Sequence, residues 1–193
     1  MFFILILIIA AIGFYLWSVY NRLVTLKTRI QASIQEIGNQ LKRQADLIPN
    51  LVEAVKGYLK HEKEIFKDLT DARRAIIEAT AKNDPKLMTA ASDRLQKTLG
   101  QVRVLVENTP QIKGVESVTK LMDELRDTAD KVMYARRTLI DLTADYNILI
   151  VTFPSNLVAS LFKFEKEKGL ETPLEGEHLQ VSSEEVKTPK VNF

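Results

Sequence analysis

Residues 2–20, FFILILIIAAIGFYLWSVY, run without one charged side chain, and this run constrains everything that follows it. About 19 residues at 1.5 Å each span roughly 28 Å in a helix, close to the hydrocarbon thickness of a bilayer. Trp17, Tyr15 and Tyr20 cluster towards its end, where amphipathic rings favour the headgroup zone. A cleaved signal peptide would carry a basic segment before the run and a small-residue cleavage site after it. Here nothing charged precedes Phe2 and the run closes on bulky Trp17 and Tyr20. A lipoprotein anchor requires a cysteine, and the chain has none. A core helix of a water-soluble domain would show a polar face, which this segment lacks. The expectation is a retained single-pass anchor over residues 1–21, with membrane lipid as a partner.

Flanking charge suggests an orientation. Arg22, Lys27 and Arg29 all precede the first acid, Glu36. Basic residues beside a membrane end tend to stay cytoplasmic, so a short N-terminus outside and residues 22–193 in the cytoplasm are expected. Trp17, Tyr20, Arg22, Lys27 and Arg29 would then mark the membrane interface.

Beyond the anchor the chain is long enough for one domain with a sizeable core. Seven glycines and six prolines are few, and the body is rich in Leu, Val, Ala, Lys, Arg, Glu and Asp, the balance of long helices. A net charge of +2 gives no electrostatic reason to expect nucleic acid as a partner. Without cysteine, disulfides, thiolate metal sites and cysteine nucleophiles are excluded.

Apolar residues recur in steps of three and four through Leu23, Leu26, Ile30, Ile34, Ile37, Leu41, Ala45 and Ile48, as one helix face requires. Pro49 then removes a backbone donor and disfavours helical angles at Ile48. The phase nevertheless continues through Val52, Val55, Leu59, Phe66, Leu69 and Ile76. Two readings stay open: a turn at Pro49, or one long helix kinked there. Asn83-Asp84-Pro85 is a sharper boundary, with a capping carboxylate before a proline at the first helical position. A further helix shows Met88, Ala91, Leu95, Thr98, Val102 and Leu105 and ends near Asn108-Thr109-Pro110. The last long helix keeps its seam from Val118 through Leu125, Val132, Leu139 and Tyr146 to Leu149. A seam this regular calls for helical partners at shallow angles, as in a bundle or coiled coil. Phe153-Pro154 breaks it, and SNLVASLFKF opens a short apolar element with Ser155 as its expected cap. From Gly169 the chain turns polar and acidic, so residues 169–193 are read as a disordered acidic tail.

Three blocks resemble the LemA family of small bacterial membrane proteins. The first runs from Tyr20-Asn21-Arg22-Leu23-Val24 through LKRQADLIPNLVEAVKGYLKHE, residues 41–62. The second is DELRDTADKVMYARR, residues 123–137, followed by Asp145-Tyr146-Asn147. The third is FPSNLVASLFKF, residues 153–164. The resemblance implies an all-α protein: an N-terminal membrane helix, then an antiparallel four-helix bundle over residues 22–168. That tilts the Pro49 question towards a turn. It also implies no enzymatic activity and a bacterial cytoplasmic (inner) membrane location. Some relatives belong to magnetosome-forming systems, which points to membrane organisation. The chain departs from the family pattern at Gln31-Ala32-Ser33-Ile34, at Ala129 and at Thr109.

Candidate chemistry is sparse. A di-iron bundle site needs Glu-x-x-His pairs, but His61 has Tyr58 three residues before it and His178 lies in the tail. No H-E-x-x-H, phosphate-binding glycine loop or nucleophile elbow occurs. No catalytic residue, metal or cofactor is therefore expected. The paired bases Lys42-Arg43, Arg73-Arg74 and Arg136-Arg137 read as solvated faces, because adjacent helical residues point about 100° apart. Asp46, Pro49, Asn50, Glu53 and Tyr58 form one candidate interaction surface, with helix capping and inter-helix hydrogen bonding at a bend as its plain alternative. Phe153, Pro154, Asn156, Leu161 and Phe162 form a second. If Pro49 were a turn, this second block would return to the membrane side, with Phe153, Leu157, Leu161, Phe162 and Phe164 beside the bilayer and Lys163 and Lys166 at the headgroups; if a kink, it would lie at the distal end. Packing at the bundle end is its favoured role. The expected function is a non-enzymatic, membrane-anchored helical scaffold that self-associates as a homo-oligomer or recruits membrane-protein partners. An accessory or sensing subunit of a membrane protease or signalling system is the alternative.

Overall fold

The computed structural model describes residues 1–58, 62–113 and 115–170. The histidines His61 and His178, Leu59, and residues 171–193 of the expected 169–193 tail lie outside the described residues; its first two residues, Gly169 and Leu170, pack on the bundle. Within them the elements are α1 (Phe2–Lys56), α2 (Lys63–Lys82), α3 (Pro85–Asn108), the single turn α4 (Pro110–Lys113), α5 (Glu116–Val151) and α6 (Ser155–Leu161). Among the described residues there is no strand, and the all-helical expectation is met.

α1 has 55 residues, a rod of about 83 Å at 1.5 Å per residue. Its apolar first third is bare: Phe2, Phe3, Leu7, Ile9 and Phe14 all have at least half of their surface open. Nothing among the described residues covers this segment. The same helix continues without a break into the bundle, where Val19 and Leu23 are buried. From there the face predicted by spacing is the buried one. Leu26, Ile30, Ile34, Ile37, Leu41, Ala45 and Ile48 are each no more than 9% exposed.

Pro49 neither turns nor ends the helix. It lies inside α1, and the chain reverses between Lys56 and Lys63. The turn favoured at Pro49 is corrected accordingly. The reason lies in the neighbouring helix. A proline at position 49 leaves the Ala45 carbonyl without its i+4 donor. Arg73 of α2 supplies one, its Nε donating to the Ala45 carbonyl at 2.9 Å. The pyrrolidine ring itself faces solvent.

Asn83 and Asp84 form the predicted boundary between α2 and α3. Asn83 adopts φ 49°, a left-handed C-cap that asparagine tolerates. Asp84 accepts from the backbone N–H of Lys86 at 2.8 Å and of Leu87 at 3.3 Å, and Pro85 opens α3.

The register follows from cross-helix contacts. α5 runs antiparallel to α1: Gln44 Nε2 donates to the Leu125 carbonyl at 3.4 Å and Arg43 lies 3.8 Å from Glu124. At the other end, the Tyr20 ring makes a tilted contact with Phe162, the residue that closes α6 after α5. The hairpin α2–α3 is closed by Arg94–Asp71, and Arg136–Asp93 links α3 to α5. Met88, one turn into α3, approaches Gly38 of α1, where a methyl group added to the glycine would stand 3.4 Å from its Cε. The shorter α2–α3 hairpin thus packs beside the distal half of the long α1–α5 pair. Four helices surround the core there, with Leu69, Ile76, Leu95 and Val102 buried from the hairpin.

In the other half, nearest the apolar end of α1, the covering element is the chain after α6. Asn147 holds it in place. Its Nδ2 donates to the Glu167 carbonyl at 2.9 Å and its Oδ1 accepts from the Glu167 N–H at 3.0 Å. Lys27 adds an ion pair to Glu167 at 3.2 Å. Gly169 lies so close to α5 that a Cβ there would sit 2.9 Å from Thr143 Cγ2. Leu170 packs on the core edge.

Candidate functional site

The residues singled out from the sequence fall into two groups at different heights on the rod. Asp46, Pro49, Asn50 and Glu53 follow i, i+3, i+4, i+7 spacing, which places them on one helix face. All four are exposed, as is Tyr58 just beyond the end of α1. The four helical residues make a stripe of acids and amide on the outside of the distal bundle, with the Tyr58 ring exposed beyond its end. Arg73, whose role in the fold was not legible, reaches the same turn from α2. The plain alternative for this block holds in part: among the described residues no helix cap occurs at these positions, but an inter-helix hydrogen bond does, from Arg73 of α2 to the Ala45 carbonyl one turn before Pro49.

The second group lies beside the apolar end of α1. Tyr20 is in ring contact with Phe162 at 4.8 Å and with Phe164 at 5.7 Å. α6 is amphipathic in seven residues. Ser155, Val158 and Ala159 face inward, while Phe153, Leu157, Leu161 and Phe162 are between 48% and 74% exposed. Pro154 is exposed and Asn156 is half-buried. The block both seals the bundle end and presents apolar surface, and it stands at the end nearest the apolar segment of α1 although Pro49 lies within one helix. The expected distal placement for that case is corrected, because the reversal after Lys56 restores the up-down order. Ser155 does not cap α6 either. Its hydroxyl lies 2.8 Å from the carbonyls of Leu149 and Thr152, where it serves the free end of α5.

Trp17, Arg22 and Arg29 are exposed around this end, and Lys27 is exposed while paired to Glu167. The structure therefore brings the aromatic and basic interface residues together with the α6 block, and separates both from the 46–58 stripe. Tyr20 and Pro49 stand 29 residue steps apart on one helix, about 43 Å.

The paired bases have specific uses. Arg73 bonds to Ala45, Arg136 lies 2.9 Å from Asp93 and Arg43 3.8 Å from Glu124. Exposed pairs of this kind contribute at most about 1 kcal/mol each. A cleft of about 330 Å³ opens between α3 and α5, with Leu99, Val106 and Met122 in its walls and Arg103, Asp123 and Arg126 at its rim. Among the described residues no group of three His, Cys, Asp or Glu side chains is arranged to hold a metal ion.

One buried group is perturbed. Tyr146 is fully enclosed, and burial pushes its hydroxyl above the usual 10.0, with Glu167 and Glu165 adding to the rise and Lys27 opposing it. Its hydroxyl has no hydrogen-bond partner among the described residues.

The fold defines an all-helical bundle carried on one helix whose first residues are long and apolar enough to cross a membrane. The chain belongs to the LemA family, whose model matches residues 33–193. It is also similar to the magnetosome protein MamQ of Magnetospirillum gryphiswaldense, at 23% identity over 171 residues, 76% of this chain. The match spans 62% of the length of that relative. Family and relative fit a membrane-associated helical protein.

Proposed function

We propose that this chain is a non-enzymatic scaffold anchored in the cytoplasmic membrane of a bacterium by the first third of α1. Its bundle stands on the cytoplasmic face and organises that face by self-association and by recruiting membrane-protein partners. The observation that supports this most is the continuity of α1. The same 55-residue helix supplies both the uncovered apolar segment and the central rod of the bundle. Removing the apolar segment by processing would cut into a helix whose Val19 and Leu23 belong to the core. The continuous helix joins the bundle to the anchor without a flexible linker, as a scaffold requires.

The distal stripe of Asp46, Pro49, Asn50, Glu53 and Tyr58 is the face offered to partners, held well clear of the headgroups by the length of the helix. The similarity to a magnetosome protein supports a role in organising membrane. An accessory subunit of a membrane protease or signalling system would use the same stripe.

Sizing and imaging the full-length protein extracted with its native lipids tests the self-association. A defined multi-subunit assembly is expected. Single bundles at every protein density would refute self-association. Replacing Asn50 and Tyr58 with Ala in a folded protein then tests recruitment, because loss of cross-linked partners in cells is the expected result.

A further inference from the structure

The contact of Tyr20 with Phe162 has a consequence for α6. Tyr20 and Trp17 end the apolar stretch of α1, and Arg22 follows as its first charged residue. If α1 crosses a bilayer, this is the level of the headgroups. Phe162 lies 4.8 Å from the Tyr20 ring, so the C-terminal end of α6 stands at that same level. We propose that α6 is a second membrane contact, a short interfacial helix whose outer face enters the lipid surface beside the anchor. The inference rests on the anchor reading given above.

Three observations identify lipid as the occupant of this face. The face is apolar where it is open: Phe153, Leu157 and Leu161 are 74%, 60% and 66% exposed. It is continuous with the uncovered anchor, whose Phe14 and Trp17 are 67% and 63% exposed at the adjoining level. Its border carries exposed bases, with one exposed acid, Glu165, among them. Lys163 and Lys166 follow α6 and Arg22 stands on α1, all three exposed, as suits an anionic headgroup layer. Lys163 sits in the left-handed region at φ 56°, where the chain leaves α6 to run back along the bundle towards Glu167. The apolar face is thereby confined to the membrane-proximal end. Two contacts fix what one cannot: with α6 seated, the bundle can no longer swing or rotate freely about its anchor.

The chain has no cysteine, so single-cysteine reporters need no background removal. Ile8→Cys, Leu161→Cys, Leu157→Cys and Asn50→Cys in the full chain, each bearing an environment-sensitive fluorophore, would be placed in vesicles of phosphatidylethanolamine and phosphatidylglycerol. Quenching by lipids brominated along the acyl chain reports depth. An interfacial helix buries its apolar face about 5–10 Å into the headgroup boundary, so shallow bromines should quench positions 157 and 161 strongly. Deep bromines should quench position 8, and position 50 should be unaffected by either. If positions 157 and 161 behave like 50 while 8 is quenched, the α6 contact is refuted and the anchor stands. If position 8 is also unquenched, the anchor reading fails and this inference with it. Shielding of 157 and 161 from an aqueous quencher without bromine quenching would overturn the proposal in favour of a second copy on this face.

Discussion

Arg73 donates through Nε to the Ala45 carbonyl at 2.9 Å, replacing the backbone donor that Pro49 cannot provide. A proline inside a helix ordinarily costs about 3 kcal/mol through its lost bond and ring clash. Here the orphaned acceptor is recovered from the neighbouring helix. Pro49 and Arg73 form a reciprocal pair: the proline frees a carbonyl, and that carbonyl ties α2 to α1.

The pair should be energetically coupled. Arg73→Ala leaves the Ala45 carbonyl unpaired in a half-buried site and is expected to cost about 1–2 kcal/mol. In a Pro49→Ala background the N–H returns and the same arginine change should cost little. A double-mutant cycle by urea unfolding should show non-additivity of about 1 kcal/mol. Additive losses would mean that Arg73 stabilises the fold by packing alone.

Asn147 reads the backbone of Glu167 on both its donor and acceptor sides. Asn147→Leu should therefore release the segment after α6 without unfolding the α1–α5 pair. Hydrogen exchange at the Glu167 amide should accelerate by an order of magnitude or more, since the two bonds contribute about 1–3 kcal/mol together. Gly169→Ala should act in the same direction, because its Cβ would meet Thr143 at 2.9 Å. Unchanged exchange in both variants would remove the clamp from the account.

Burial raises the Tyr146 hydroxyl above 10.0, so the folded state favours the neutral phenol. The stability this group contributes is complete below the unfolded value. It is lost as pH rises through the folded value, since the unfolded chain releases the proton first. Tyr146→Phe should keep stability at neutral pH to within about 1 kcal/mol, as the hydroxyl has no partner among the described residues. Above about pH 10 the variant should lose stability less steeply than the native chain. Parallel curves for the two proteins would show that Tyr146 does not ionise on unfolding.

Asp84 caps α3 through two backbone amides. Asp84→Ala is expected to destabilise the protein by about 1 kcal/mol, and Asp84→Asn should restore most of it. Thermal unfolding of the three proteins at one pH measures both effects.

Helix faces were legible because burial imposes a repeat of three and four residues on them. Each seam position from Leu23 to Ile48, and from Val118 to Leu149, is buried or partly buried. The Asn83-Asp84-Pro85 boundary was legible because capping chemistry is local. The Pro49 question was not, since its answer depends on an arginine 24 residues away in sequence. The clamp at Asn147 and the burial of Ser155 against α5 were hidden for the same reason: both are satisfied by backbone atoms, which no residue pattern records. Exposed stripes such as Asp46 to Glu53 could be found as faces, but a face does not state what it binds.

The most direct measurement concerns the anchor and its sidedness. Asn50→Cys in the full chain, expressed in bacteria, would be challenged with a membrane-impermeant maleimide in intact spheroplasts and in inverted membrane vesicles. The account predicts labelling only in the inverted vesicles, and retention of the protein in the membrane after alkaline carbonate extraction. Labelling in intact spheroplasts would contradict the cytoplasmic bundle, and release by carbonate would contradict the anchor.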